Sequence, residues 1–256
     1  MGFPSKHKKG VIKLLYKARG EQANYGEAIG LLMPEGRVPF IPGDVGNAST
    51  YSFPVRFQRV KGLRIKHLFA HDKTKLALLL EAAKELVKEG VKAVTGCCGF
   101  MALFQQELAN QLEVPVFLSS LLQVPFISRI LGDGEKVGIL TANSQSLDAS
   151  LLAKVGVDSS IPLYIKGMES KENWYRTVVI EEGTLDSAQM EKELVASAEE
   201  MIQEEPRVKA ILMECSVMPP YGAAVQEAVN LPIFDFVTMI NYVYLAVVKK
   251  RFQGFM

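Results

Sequence analysis

Short apolar runs bounded by turn residues recur along the chain, separated by longer segments with helical periodicity. Ile29 to Met33, Ala93 to Gly96 and Val116 to Leu118 are runs of this kind, as are Val137 to Leu140, Ala210 to Met213 and Ile233 to Phe234. Unbroken apolarity over so few residues predicts strands covered on both faces, the habit of parallel sheets. Between the first two runs, Lys73 to Lys88 places Leu76, Leu79, Leu80, Ala83, Leu86 and Val87 on one helical face, with Gly90 to end the helix. Ser187 to Glu204 repeats the pattern, with Met190, Leu194, Ala198, Met201 and Ile202 inward and the acids outward. Strand and helix in alternation predict an α/β fold of parallel sheets covered by helices.

The pattern occurs twice. Val91-Lys92-Ala93 stands seven positions before Cys98, and Val208-Lys209-Ala210 stands seven before Cys215. Each cysteine is followed 17 positions later by a proline and two apolar residues, Pro115-Val116-Phe117 and Pro232-Ile233-Phe234, so both matches share an offset of 117. Ile29-Gly30-Leu31-Leu32 and Val137-Gly138-Ile139-Leu140 match at an offset of 108, the nine-residue difference falling in loops. The chain therefore reads as a duplication: two pseudo-symmetric, open parallel-sheet α/β halves over 29–131 and 135–234, joined near Leu131-Gly132-Asp133-Gly134, with a cleft between them. Residues 1–28 form a basic N-terminal extension in this reading. Residues 235–256 carry a last helix, about Val237 to Phe252, for which packing on the first half is one destination.

Composition narrows the class. With 256 residues, 48% hydrophobic and 22% charged, the chain can bury a core, which excludes general disorder. The formal net charge is +1, so no overall field recruits nucleic acid or a membrane surface. The apolar stretch Tyr242 to Val248 is far shorter than the roughly 20 residues of a spanning helix. Lys6, Lys8, Lys9, Lys13, Lys17 and Arg19 make the start basic, and Lys13 interrupts its apolar stretch, so we read an uncleaved, soluble start. Three cysteines, two of them adjacent, are a poor basis for a disulfide framework and fit a reducing cytoplasm. We expect a cytoplasmic homodimer.

The duplication puts Cys98 and Cys215 at the carboxyl end of one strand in each half, where open α/β sheets present their binding crevices. Facing halves would bring the two thiols to opposite sides of one cleft. A helix is predicted after each cysteine, from about Phe100 to Gln111 and from about Tyr221 to Val229, so backbone amides and a positive dipole end would favour thiolate. Two opposed thiols suit proton exchange at a carbon held between them, in which one removes a proton and the other returns a proton to the opposite face. The plainer alternative makes both small core residues.

At these residues the chain resembles the aspartate/glutamate racemase superfamily, which includes hydantoin racemases, maleate isomerases and arylmalonate decarboxylases. Thr95-Gly96-Cys97-Cys98-Gly99-Phe100, Met213-Glu214-Cys215-Ser216-Val217-Met218-Pro219-Pro220-Tyr221 and Pro42-Gly43-Asp44-Val45-Gly46-Asn47 carry the resemblance, which looks closest to an uncharacterised branch. It implies a cofactor-independent racemase or epimerase, using neither pyridoxal phosphate nor metal. Cys98 and Cys215 would then be acid and base at a carbon next to a carboxylate or carbonyl, with Gly99 and Ser216 near the carboxylate. Phe100 stands beside them, in the segment where glutamate racemases carry Asn-Thr and this chain has Gly99-Phe100. Met33-Pro34-Glu35 replaces an Asp-Ser pair, and Val217 stands where an acid or histidine often assists. Those departures point to a less polar acid or a cyclic substrate.

The remaining candidates have two readings each. Asn47 and the amides of its loop could meet an anion, or form a surface turn. Thr141 and Asn143, with Ser144, could line the cleft or simply make a turn. Cys97 reads as packing. Glu214, beside a reactive thiol, could tune its pKa or orient a partner, but strand alternation would point it away from Cys215, so it reads as a solvated or salt-bridged acid. His67 and His71 have zinc-ligand spacing without a third ligand, and read as polar residues before the helix at Lys73. Met168 to Arg176, with Trp174, is a lid or a packed helix. Gly132-Asp133-Gly134 precedes a strand and is no dinucleotide fingerprint, and neither a P-loop nor a serine elbow occurs. The expected partner is a small carboxylate or amino-acid-like molecule, with no nucleic acid, membrane or cofactor. A one-thiol enzyme, like a maleate isomerase or malonate decarboxylase, and a non-catalytic binder of small acids are the competing functions.

Overall fold

The structure is a computed structural model that describes residues 15–18, 20 and 22–256. Most of the basic segment Lys6 to Arg19 lies outside the described residues. The first sheet contains β1 (Ile29–Pro34), β2 (Val55–Val60), β3 (Ala93–Gly96) and β4 (Val116–Phe117), in the order β2-β1-β3-β4. The second contains β5 (Lys136–Thr141), β6 (Leu163–Gly167), β7 (Val208–Met213) and β8 (Ile233–Phe234), in the order β6-β5-β7-β8. Every pairing is parallel.

The two sheets agree in register as well as order. Gly30 pairs with Val94 in the first half, and Gly138 pairs with Ile211 in the second. Past the strand ends, the Cys97 amide donates to the Leu32 carbonyl at 3.0 Å and the Glu214 amide to the Leu140 carbonyl at 2.8 Å. Both glycines are sites of helix packing: a Cβ at Gly30 would meet Leu86 of the helix Leu76–Lys88 at 2.9 Å, and one at Gly138 would overlap Met201 of the helix Ser187–Glu204. Close helix-on-strand contact at equivalent positions is the physical trace of the duplication.

Two features depart from the pattern read in the sequence. Each sheet has a further strand, β2 and β6, at its edge. Val55-Arg-Phe-Gln-Arg-Val interrupts its apolar residues with Arg56, Gln58 and Arg59, and β6 carries Tyr164 and Lys166, both hydrogen-bonded to Glu204. Such edge strands lack an unbroken apolar run. The helix Ser187–Glu204 also does not turn all its acids outward. Glu193 is buried because its two oxygens accept from the Asn173 amide at 2.9 Å and the Trp174 amide at 2.8 Å. Trp174 is fully buried and donates through Nε1 to the Ala142 carbonyl at 3.2 Å, followed by a turn of π-helix over Tyr175–Val179.

One apolar cluster runs through both halves, from Leu32 and Phe100 to Ile139, Leu212 and Met213. A second fills the space between β1, β3 and the last helix, Phe236–Val247, through Ile29, Leu31, Ala93, Phe236, Met239 and Ile240. That helix thus covers the first half, with Tyr244 stacked on Phe53 at 3.5 Å. The halves meet over polar contacts at the carboxyl ends of their strands. Ser120 Oγ donates to the Glu214 carbonyl at 2.9 Å, Ser216 Oγ to the Cys97 carbonyl at 3.2 Å, and the Val45 amide to the Ser216 carbonyl at 3.3 Å.

Candidate active site

Cys98 follows β3, and Cys215 follows β7. The turns that begin after them are 3-10 turns, Gly99–Phe104 and Pro219–Tyr221, each leading into a short α-helix, Gln105–Ala109 and Gly222–Val229. The Ser216–Cys97 bond brings the two cysteine segments together, and each thiol lies within electrostatic reach of Glu214, as Cys215 does of Cys98. All three cysteines are free and buried.

The surroundings of both thiols disfavour thiolate. Burial pushes both Cys98 and Cys215 well above the ordinary range, and the Glu214 carboxyl pushes them further. The amides of Phe100 and Met101 pull Cys98 down, and that of Val217 pulls Cys215 down, but burial wins. The expected acidification at a helix start is therefore corrected: the amides are present, and desolvation outweighs them. Cys97 is raised as well, mainly by burial.

Glu214 is neither solvated nor salt-bridged, correcting the reading from strand alternation. Its side chain is fully buried, and Oε2 accepts from Thr141 Oγ1 and from the Ala142 amide, each at 3.0 Å. Oε1 is buried against Gly99 without a hydrogen bond of normal geometry, although the Gly99 amide acts on the carboxyl. Burial raises its pKa to about 7, and its field acts on both thiols.

Asp44 is a second buried carboxyl that the sequence did not mark as part of the chemistry. It is 1% exposed, and burial raises its pKa to about 8 against the pull of the Gly46 amide, which donates to Oδ1 at 2.7 Å. Its field reaches Cys97, Cys215, Tyr51 and Tyr221.

The other sequence candidates divide between the pocket and its supports. Gly99 and Ser216 lie at the junction of the two cysteine segments, and Thr141 touches it through Glu214. Phe100 is fully buried with its ring edge-on to Phe69 at 4.9 Å. Asn47 accepts from the Ser49 amide at 2.9 Å and donates through Nδ2 to the Phe40 carbonyl at 2.9 Å, which ties its side chain to its own loop. Asn143 caps a 3-10 turn by accepting from the Gln145 and Ser146 amides. His71 faces Ser146 and Asp148, and the amide of Arg64 donates to His67 Nδ1. Among the described residues no group of three or more metal-ligating side chains converges. A cleft of about 820 Å³ is lined by Phe40 and Gly46 together with Arg37, Arg59, Arg64 and Glu181, and neither Cys98 nor Cys215 lines it. No helix of the described residues is long and apolar enough to cross a membrane.

The chain is similar in sequence to a dimethylsulfoniopropionate lyase of Durusdinium sp. clade D, 31% identical over 210 residues that cover 79% of this chain and 69% of that protein. Dimethylsulfoniopropionate lyase 5 of Emiliania huxleyi (strain CCMP1516) is 28% identical over 234 residues, 86% of this chain, which spans 45% of that protein's length. No protein-family model matches the chain. Among solved structures, the Gly74Cys mutant of arylmalonate decarboxylase superposes with a TM-score of 0.57 at 17% identity, over 88% of this chain and 95% of that one. Picrophilus torridus aspartate racemase superposes with a TM-score of 0.55 at 15% identity, over 89% and 96%. The chain has the two-sheet fold of the aspartate/glutamate racemase superfamily, and within it belongs to the family of the dimethylsulfoniopropionate lyases.

Proposed function

We propose that this protein is a lyase that eliminates dimethyl sulfide from dimethylsulfoniopropionate, leaving acrylate. The observation that carries this reading is the meeting of the Cys98 and Cys215 segments at the carboxyl ends of β3 and β7, where the Ser216 hydroxyl donates to the Cys97 carbonyl, in a chain whose relatives are dimethylsulfoniopropionate lyases. A thiolate takes the proton from the carbon next to the carboxylate. The electron pair of that C–H bond becomes the C=C bond, and the pair of the C–S bond leaves with sulfur, which departs as neutral dimethyl sulfide. Charge builds on the substrate carboxylate as the proton leaves, while the amides of Phe100, Met101 and Val217, which act on the two thiols, ease formation of the thiolate. A leaving group that departs neutral needs no proton, so one thiol suffices, whereas racemisation needs two. No cofactor enters these steps, and the reading includes a cytoplasmic homodimer.

The symmetry of the two thiols favours a second reading, the two-base racemase or epimerase acting on an amino acid. Incubation in D2O separates the two. Under the first reading, NMR shows acrylate formed from dimethylsulfoniopropionate and no deuterium entering D- or L-amino acids. Deuterium in the α-position of an amino acid, with loss of optical activity and no acrylate, would establish the second.

A further inference from the structure

Asp44 is a buried carboxyl that meets no cation among the described residues. Its side chain forms no ion pair among the described residues, and no Lys, Arg or His acts on it electrostatically. It also cannot swing to solvent without breaking its loop. Thr50 Oγ1 donates to the Asp44 carbonyl at 2.6 Å while accepting from the Gly43 amide at 3.0 Å. Tyr51 donates through its hydroxyl to the Val45 carbonyl at 2.8 Å, and the Val45 amide reaches across to Ser216. Gly43 adopts a φ of +97°, and a Cβ there would come within 2.9 Å of the Pro220 backbone, so the loop lies hard against the segment that follows Cys215. A carboxyl fixed in such surroundings is costly unless it is protonated or meets a positive charge.

We propose that Asp44 is the counter-charge for a permanently cationic group of the substrate, so that the protein selects zwitterionic onium acids over uncharged acids of the same shape. This rests on the lyase reading for the identity of the onium group, a dimethylsulfonium. Tyr51 and Tyr221, the two aromatic residues its field reaches, are the side chains suited to sit beside a methylated cation.

Two consequences follow from the charges that face Asp44. Burial favours the protonated carboxyl at pH 7, and an onium ion beside it would ionise it, so binding releases a proton. The same cation would lower the pKa of Cys215, which lies in the field of Asp44. Glu214 acts on both thiols, whereas Asp44 acts on Cys215 and not on Cys98. Because the Asp44 loop packs on Ser216 and Pro220, in the segment that follows Cys215, the proposal makes Cys215 the base, formed as thiolate when the substrate arrives.

Calorimetry with two non-reacting ligands tests the proposal: 3-(trimethylammonio)propanoate and its uncharged isostere 4,4-dimethylpentanoate, each in two buffers of different ionisation enthalpy. The wild-type chain should bind the onium acid at least about tenfold more tightly than the isostere and release close to one proton at pH 7. Asp44→Asn should abolish both the preference and the proton release while binding the isostere as before. Asp44→Glu, which keeps the charge, should retain the preference, and the melting transition of each variant checks folding. An Asn variant that keeps the preference overturns the proposal. Dimethyl sulfide release by the wild type is measured alongside. Release without an Asp44-dependent preference defeats this inference alone; the preference without release upholds the cation subsite and defeats the lyase reading.

Discussion

The carboxyl of Glu214 occupies the space that a side chain at position 99 would need: a Cβ built on Gly99 overlaps Glu214 Oε1 and crowds the rest of its carboxyl. One half of the duplicated fold thus gives up a side chain so that the other half can insert a buried acid beside Cys98. The acid stays in place through Thr141 and the Ala142 amide at the end of β5, so both halves shape the same few ångströms of the pocket.

Gly99→Ala should therefore be far more harmful than glycine-to-alanine changes at surface turns. Overpacking of this kind costs about 1–3 kcal/mol, and it displaces the carboxyl that acts on both thiols. We expect a lower melting temperature and a large loss of turnover, with Glu214→Ala restoring much of the stability in the double variant but not the turnover. A Gly99→Ala variant that melts with the wild type contradicts this packing.

The thiols should differ in importance, because elimination needs one base. Cys215→Ser should lower dimethyl sulfide release by about a thousandfold or more, since a serine hydroxyl is a far weaker base. Cys98→Ser should lower it much less, and Cys97→Ser least. Equal losses at Cys98 and Cys215, as two-base chemistry requires, would be seen in the same rate assay and would contradict the assignment.

Stability should fall as pH rises through neutrality. Asp44 and Glu214 ordinarily titrate at 3.8 and 4.5, and in the folded chain they are raised to about 8 and about 7. Between those limits the folded state binds more protons than the unfolded one, so the stability is fully present below about pH 4 and is lost as pH climbs through 7 and 8. Each unit crossed costs about 1.4 kcal/mol per group. Thermal melts should show a transition several degrees lower at pH 8.5 than at pH 5.5, and Asp44→Asn should shrink the difference. A transition that rises between those two pH values would contradict the burial of these acids.

Much of this architecture was legible in the sequence because a duplicated chain checks itself. The offsets of 108 and 117 appear in the structure as the paired bonds from Cys97 to Leu32 and from Glu214 to Leu140. The helix Ser187–Glu204 carries the bounds its periodicity gave. The edge strands were hidden because interspersed polar residues leave no apolar run. Glu214 and Asp44 were hidden for another reason. Alternation describes a residue's face only within a strand, and Glu214 stands just past the end of β7, where the chain turns into the cleft. Asp44 belongs to a loop whose composition reads as an ordinary turn, and its burial comes from Ser216 and Pro220, more than 170 positions away in sequence. The same packing explains why amides that favour thiolate on paper do not prevail, since local sequence shows the amides and says nothing of the desolvation.

The central claim is tested most directly by giving the purified chain dimethylsulfoniopropionate and following headspace dimethyl sulfide by gas chromatography and acrylate by NMR in the same vessel. The account predicts the two products in equal amounts, formed by the wild type and lost with Cys215→Ser. No dimethyl sulfide from a folded wild-type chain, or equal release by the Cys215→Ser variant, would contradict it.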